Sequence, residues 1–276
     1  MKRRSFLMLI PFLALGFKCM AQGDLLLTPI RVVFDGNKQR EEINLANIGK
    51  DTATYSISFV NYKMKEDGSY AIIEKPDSGQ MFAEPYLRIF PRKVTLLPGE
   101  SQVIMLQCRR NSNMVAGEYR SHLYFRSEKN YKPLRTKNAD TTTLTVQLIP
   151  VFGISIPIII RSGVTNVSAA ITGLKLEFQQ DTIPYLKLTI NRTGNISIYG
   201  DIIIEYTPPQ GKPYQIGKVK NAGVFTNISR RFFSIQLTRT PGMNLRNGKL
   251  KVRYTSPDEV KYEEYAESVL ELANDK

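Results

Sequence analysis

The sequence predicts an all-β protein built as two β-sandwich domains in tandem. Three observations carry this expectation. Runs of alternating apolar and polar residues recur along most of the chain, each bounded by a turn signal. Helical periodicity is weak throughout. A second series of alternating runs, with its own aromatic residues, begins after Arg161-Ser162-Gly163.

The first run is TPIRVVFDG (28–36). A period of two puts Ile30, Val32 and Phe34 on one face and a charged Arg31 beside Val33 on the other. EEINLANIG follows, with Ile43 and Leu45 inward, ending at Asn47. TATYSISFVNYKM alternates through Tyr55, Ile57 and Phe59. EDGSYAIIE contains Asp67-Gly68, a hairpin signal. RKVTLLPGESQVIMLQC reads as two extended runs split by the turn pair Pro98-Gly99, and Cys108 closes it as a small buried hydrophobe. GEYRSHLYFRSE is a further strand, and TTTLTVQLIPVFGISIPIIIR a long extended run. In the second half GLKLEFQQ, PYLKLTINRTGN, YGDIIIEYT, RRFFSIQLT and NGKLKVRYTS read as strands. SVLELANDK suits either a short helix or a strand.

Length and composition bound the setting. The chain opens with a basic stretch, Lys2 to Arg4, and an apolar run from Phe6 to Phe17 that is too short to span a bilayer. Cys19-Met20-Ala21 supplies a cleavage site with small end residues, so residues 1–21 are expected to be a signal peptide. Lipidation at Cys19 ranks below this, because Lys18 precedes it. Cleavage takes the formal charge from +13 to +9 by removing four basic residues and leaves 255 of 276 residues. No later run reaches transmembrane length, so the mature protein is expected to be exported without stable membrane insertion. The domains are expected at 22–162 and 163–276. Cys108 is the sole mature cysteine, so the core must hold the fold without an intrachain disulfide.

Most catalytic chemistries are excluded by composition. His122 is the one histidine and lies inside a strand run, so no metal site and no catalytic triad is expected around it. Tryptophan is absent, as are Gly-rich phosphate loops and the G-x-S-x-G turn. The positive charge is interleaved with Asp and Glu, which gives no nucleic-acid footprint. No cofactor is expected, and an enzyme such as a sandwich hydrolase ranks last.

Several segments, taken in order, resemble the PapD-like periplasmic pilus chaperones. RVVFDGNKQREEINLANIG is similar to the first two strands of that family, and FPRKVTLLPGESQVIMLQC to its proline approach, turn and following strand. GEYRSHLYFR is similar to the sixth strand, in a form closer to the archaic branch, and TLTVQLIPVFGISIPIIIR to the seventh. The match covers most of 25–161. It implies two immunoglobulin-like sandwiches with an interdomain cleft. It also implies capping of exported, strand-deficient pilus or fimbrial subunits by donor-strand complementation in the periplasm. An outer-membrane usher and self-association of the free form are further partners that the family implies.

The resemblance also implies residue roles. Leu144, Val146 and Leu148, two residues apart, match the donor row; filling the protein's own core is the competing reading. Arg31 matches the first-strand arginine that fixes a subunit's terminal carboxylate, a task suited to its planar fork. The lysine that classical members add in the seventh strand is missing: no lysine occurs from Asn138 to Ser162, and Ser155 or Pro157 stands near its place. Arg120 is the first candidate helper, and Arg161, at the domain junction, is the second, with bridging of the two domains as its other reading. A structural or adhesive β-sandwich protein that donates no strand is the alternative function.

Overall fold

The computed structural model describes residues 24–128, 152–180, 182–240, 243–258 and 260–272. The expected signal peptide (1–21) and the row Leu144, Val146 and Leu148 lie outside the described residues. Within them the fold is two β-sandwiches.

The first contains Leu25–Thr28 (β1), Val32–Phe34 (β2), Arg40–Asn47 (β3), Ala53–Val60 (β4), Tyr62–Met64 (β5) and Tyr70–Ile72 (β6). Leu87–Phe90 (β7), Lys93–Leu96 (β8), Ser101–Cys108 (β9), Gly117–Ser127 (β10) and Gly153–Ser162 (β11) complete it. One sheet has the order β1-β3-β9-β7 and the other β2-β11-β10-β4-β8, while β5 and β6 form a separate hairpin. The inward positions of both sheets meet in one core that includes Phe34, Ile43, Leu45, Ile104, Leu123 and Phe125. Cys108 is part of it, and burial pushes its thiol pKa up, as expected of an inert core residue.

The opening run is not one strand, as its alternation predicted. β1 pairs antiparallel with β3, whereas β2 pairs parallel with β11 in the opposite sheet. The chain changes sheets at Pro29-Ile30-Arg31. Proline has no N–H to continue the ladder with β3, so the pairing stops there. The crossover shifts the inward parity from Leu25 and Leu27 to Val32 and Phe34 and leaves Ile30 69% exposed instead of in the core. Pro98-Gly99 likewise joins different sheets, with Gly99 at φ +76 and the Glu100 N–H donating to the Leu97 carbonyl. Asn47, fully buried, ties that turn down: its side-chain amide donates to the Leu96 and Asp51 carbonyls at 3.0 and 2.8 Å.

Gly163, at φ +62, follows β11 directly. The second sandwich then forms from Val167–Gln179 (β12), Ile183–Gly194 (β13), Ile198–Thr207 (β14), Tyr214–Val224 (β15), Arg230–Gln236 (β16), Gly248–Thr255 (β17) and Glu264–Leu272 (β18). Its sheets run β12-β13-β16 and β15-β14-β17-β18 around a separate core. The C-terminal segment takes the strand option. β15 carries no sequence signal because lysines and glycines interrupt its alternation, and its pairing with β14 has two register shifts.

Candidate functional site

The two faces of β10 have opposite chemistry. Tyr119, Leu123 and Phe125 point into the first core, so Glu118, Arg120 and His122 fall on the outer face. An outer sheet face of that composition normally meets water. Here Glu118, Arg120 and His122 are 1, 4 and 7% exposed, because the second sandwich lies over them.

Register places the neighbours. Glu118 pairs with Arg161, Arg120 with Ile159, and His122 with Pro157 on β11. Across β11, Ile159 pairs with Val33 and Ile158 with Val32, so Arg31 lies one step before the Ile158–Val32 pair. The outer face at the junction therefore carries three arginines, a glutamate and a histidine, from β10, β11 and the residue leading into β2.

Two of the arginines are matched to carboxylates. Arg120 donates from Nε and Nη2 to Glu118 Oε1 at 3.0 and 2.8 Å. Its Nη2 also donates to Ser197 Oγ at 2.8 Å, and that hydroxyl donates to Glu118 Oε2 at 2.7 Å. The Ser197 backbone N–H donates to the same Oε2 at 3.1 Å, and the Glu118 N–H to the Asn195 carbonyl. This closed network joins the two sandwiches. Burial alone would raise the Glu118 pKa; the Arg120 charge and the bonds from Ser197 and Arg120 outweigh it and hold the carboxyl below its usual range. Arg161 reaches Asp35 at 3.5 Å.

Arg31 has no hydrogen bond or ion pair among the described residues. It is partly buried, with its guanidinium carbon 4.3 Å from the ring centre of Tyr199 on β14. Burial, then the Arg120 charge, pulls its pKa down to about 10, so it stays cationic at neutral pH. Arg31 is thus a partly desolvated cation that feels the Glu118 charge but bonds to no carboxylate among the described residues.

The backbone around Ser197 is tied down by hydrogen bonds. Buried Arg192 donates to the carbonyls of Gly194 and Ile196 at 2.8 and 2.9 Å and to those of Thr226 and Ile228 at 3.1 and 3.3 Å. Phe225, one residue past β15, packs under Arg120, whose guanidinium carbon is 4.0 Å from the ring centre. The β5–β6 hairpin adds a second interdomain contact. The Glu66 carbonyl accepts from the Phe232 N–H at 2.7 Å, and the Glu66 carboxylate from Arg230 at 2.8 Å.

His122 lies edge-on to Tyr62 at 4.9 Å. Burial pushes its pKa down to about 3 from 6.5, with repulsion from Arg120 and Arg31 adding to the effect. Above pH 6.5 the imidazole is neutral in both states and contributes no pH dependence. Below 6.5 the unfolded chain binds a proton that the folded chain refuses, so stability falls until pH nears 3. The expected slope is about 1.4 kcal/mol per pH unit. Urea midpoints between pH 7 and 5 should show it, and His122→Gln should flatten it. An unchanged slope in the variant would remove His122 as its source.

Of the expected site residues, the structure brings Arg31, Arg120 and Arg161 onto one face. It does not leave all three available. Arg120, expected to help Arg31, is buried and already holds Glu118. Arg161, expected as a further helper or as a bridge between the domains, pairs with the exposed Asp35 of the same sandwich. Pro157, near the place of the missing lysine, supplies no charge. Glu118, Ser197, Tyr199 and Phe225 carry no role in the sequence reading. Only the alternation Glu118-x-Arg120-x-His122 hints at a polar face; nothing local shows that it is covered.

The edge of β11 is also informative. β2 pairs with Ile158–Ile160, and among the described residues no strand lies against 153–157 on that side. Gly153 and Ser155 are exposed there, while Ile156 is in the core.

No family model matches the sequence, and no curated protein does. Among solved structures, the chain is similar to one of the CsuC–CsuE chaperone–tip adhesion subunit complex of archaic chaperone-usher Csu pili from Acinetobacter baumannii. Identity there is 16%, covering 88% of this chain and 99% of that one, with a TM-score of 0.47. It is similar to the YadV chaperone at 14% identity, covering 91% and 100% of the two chains, with a TM-score of 0.46. The CupB2 chaperone of Pseudomonas aeruginosa matches at 10% identity over 90% and 100%, with a TM-score of 0.40.

Proposed function

We propose that this protein is a periplasmic chaperone that caps exported pilus-type subunits. In this reading Arg31 anchors the subunit's terminal carboxylate, and the chain leading into β11 donates a strand. The observation that carries it is the state of Arg31. It is the one arginine of the junction without a carboxylate of its own among the described residues, and it stays charged beside an interdomain interface. The edge at 153–157, unpaired among the described residues, supports the second half, because exposed backbone is what strand addition uses. Leu144, Val146 and Leu148 are proposed as the apolar row inserted into the subunit. The domains are proposed at 22–162 and 163–276, with residues 1–21 removed on export. Arg120 and Arg161 act in this reading by holding the face in shape, not by touching the client.

Affinity purification from the periplasm, with identification of any bound subunit, tests the whole reading. Recovery of small secreted subunits with an unfilled strand position supports it; recovery of surface-complex components without such subunits supports the structural or adhesive alternative. The donor row is tested separately. The double variant Val146→Asp, Leu148→Asp is expected to lose capture of a co-expressed subunit with no change in its melting temperature. Unchanged co-purification would remove the donor assignment.

A further inference from the structure

The junction holds two arginines of the first sandwich over two aromatic rings of the second: Arg31 over Tyr199 at 4.3 Å and Arg120 over Phe225 at 4.0 Å. The two pairs differ in one respect. Arg120 is fixed by Glu118 and Ser197, whereas Arg31 has no hydrogen bond among the described residues to orient it. We infer that Tyr199 is the positioning residue of the carboxylate site, aiming the Arg31 guanidinium through its ring, so that anchoring requires the second sandwich. This rests on the anchor role proposed above for Arg31.

The physical reason is the shape of the group. A guanidinium is planar, with its N–H donors in the plane. A ring lying against one face is attracted to the cation and leaves the donor edge free. Without it, a long side chain samples several rotamers and loses entropy on binding a carboxylate. Tyr199 is well placed to act as a fixed platform. It follows Ser197 by two residues, and Ser197 is bonded to Glu118 across the interface. Opposite it on β15 is Gly223, where an added Cβ would lie 3.5 Å from the Tyr199 ring. The contact needs an aromatic face, so phenylalanine should replace tyrosine and leucine should not.

The test follows the Arg31 Nε–H resonance by NMR at pH 7, with Arg31→Lys providing the assignment. Sodium acetate is the carboxylate probe, exchanged against chloride at constant ionic strength. The wild type is expected to show a ring-shifted Arg31 signal that moves saturably with acetate. Tyr199→Phe should keep both properties. Tyr199→Leu should lose the ring shift and bind acetate at least five-fold more weakly, with its melting temperature reporting an intact fold. Equal acetate response in wild type and Tyr199→Leu would overturn the positioning role while leaving Arg31 as an anchor. No ring shift in the wild type would overturn it even if the leucine variant did not fold. No acetate response in the wild type would overturn the anchor and the positioning role together.

Discussion

Arg31→Ala is expected to weaken client capture by roughly 2–5 kcal/mol, about thirty-fold or more, while changing the unfolding free energy by no more than about 1 kcal/mol. The two halves of this result have separate causes. Binding suffers because a charge-assisted, two-pronged contact to a carboxylate is lost from a partly desolvated site. Folding is spared because Arg31 neutralises no carboxylate of its own, so its removal strands no buried charge. The cation–π contact with Tyr199 is lost, but so is the cost of holding a cation away from water. Arg31→Lys should fall between, keeping the charge and losing the fork. Pull-down of a co-expressed subunit, paired with thermal melting, measures both. Full capture by Arg31→Ala would end the anchor proposal.

Arg120→Ala is expected to give the opposite signature: a loss of about 3–5 kcal/mol of stability. Glu118 is 1% exposed, and without Arg120 its carboxylate would keep hydrogen bonds only from Ser197 among the described residues. The damage should centre on the interface, since Ser197 belongs to the second sandwich. Urea unfolding would record it as a lower midpoint. The double variant Glu118→Leu, Arg120→Met should recover most of the loss, because exchanging a buried ion pair for apolar groups of similar size leaves no orphan. A stability change under about 1 kcal/mol in Arg120→Ala would mean that the network is not structural. The pair also sets an acid limit. Glu118 has its pKa lowered in the fold, so its contribution is complete above 4.5 and is lost as pH falls below that value. It therefore adds to the His122 loss, which begins near 6.5.

Most of the fold was legible in the sequence. Ile43 and Leu45, Tyr55 and Ile57, and Ile104, Leu106 and Cys108 occupy the inward positions that a period of two assigns them. Asp67-Gly68 and Pro98-Gly99 make the turns their chemistry calls for. These features are local: a side chain's face follows from its neighbours two residues away. Ile30 broke the pattern because alternation holds only within one sheet, and the chain changes sheets at Pro29.

The site was legible only in part. Arg31 stood out as a charge in an apolar run, and the sequence alone suffices to make it a candidate. Which arginines have partners among the described residues was decided largely by contacts of long sequence separation: Arg120 by Ser197, which closes its local pair with Glu118, Arg161 by Asp35, and Arg31 by the Tyr199 ring. The strand GEYRSHLYF determines by itself that Glu118, Arg120 and His122 share a face. That the face is buried, and that its charges are thereby forced to pair, was determined by the second sandwich lying across it, because burial is a property of two surfaces and a sequence pattern describes only one.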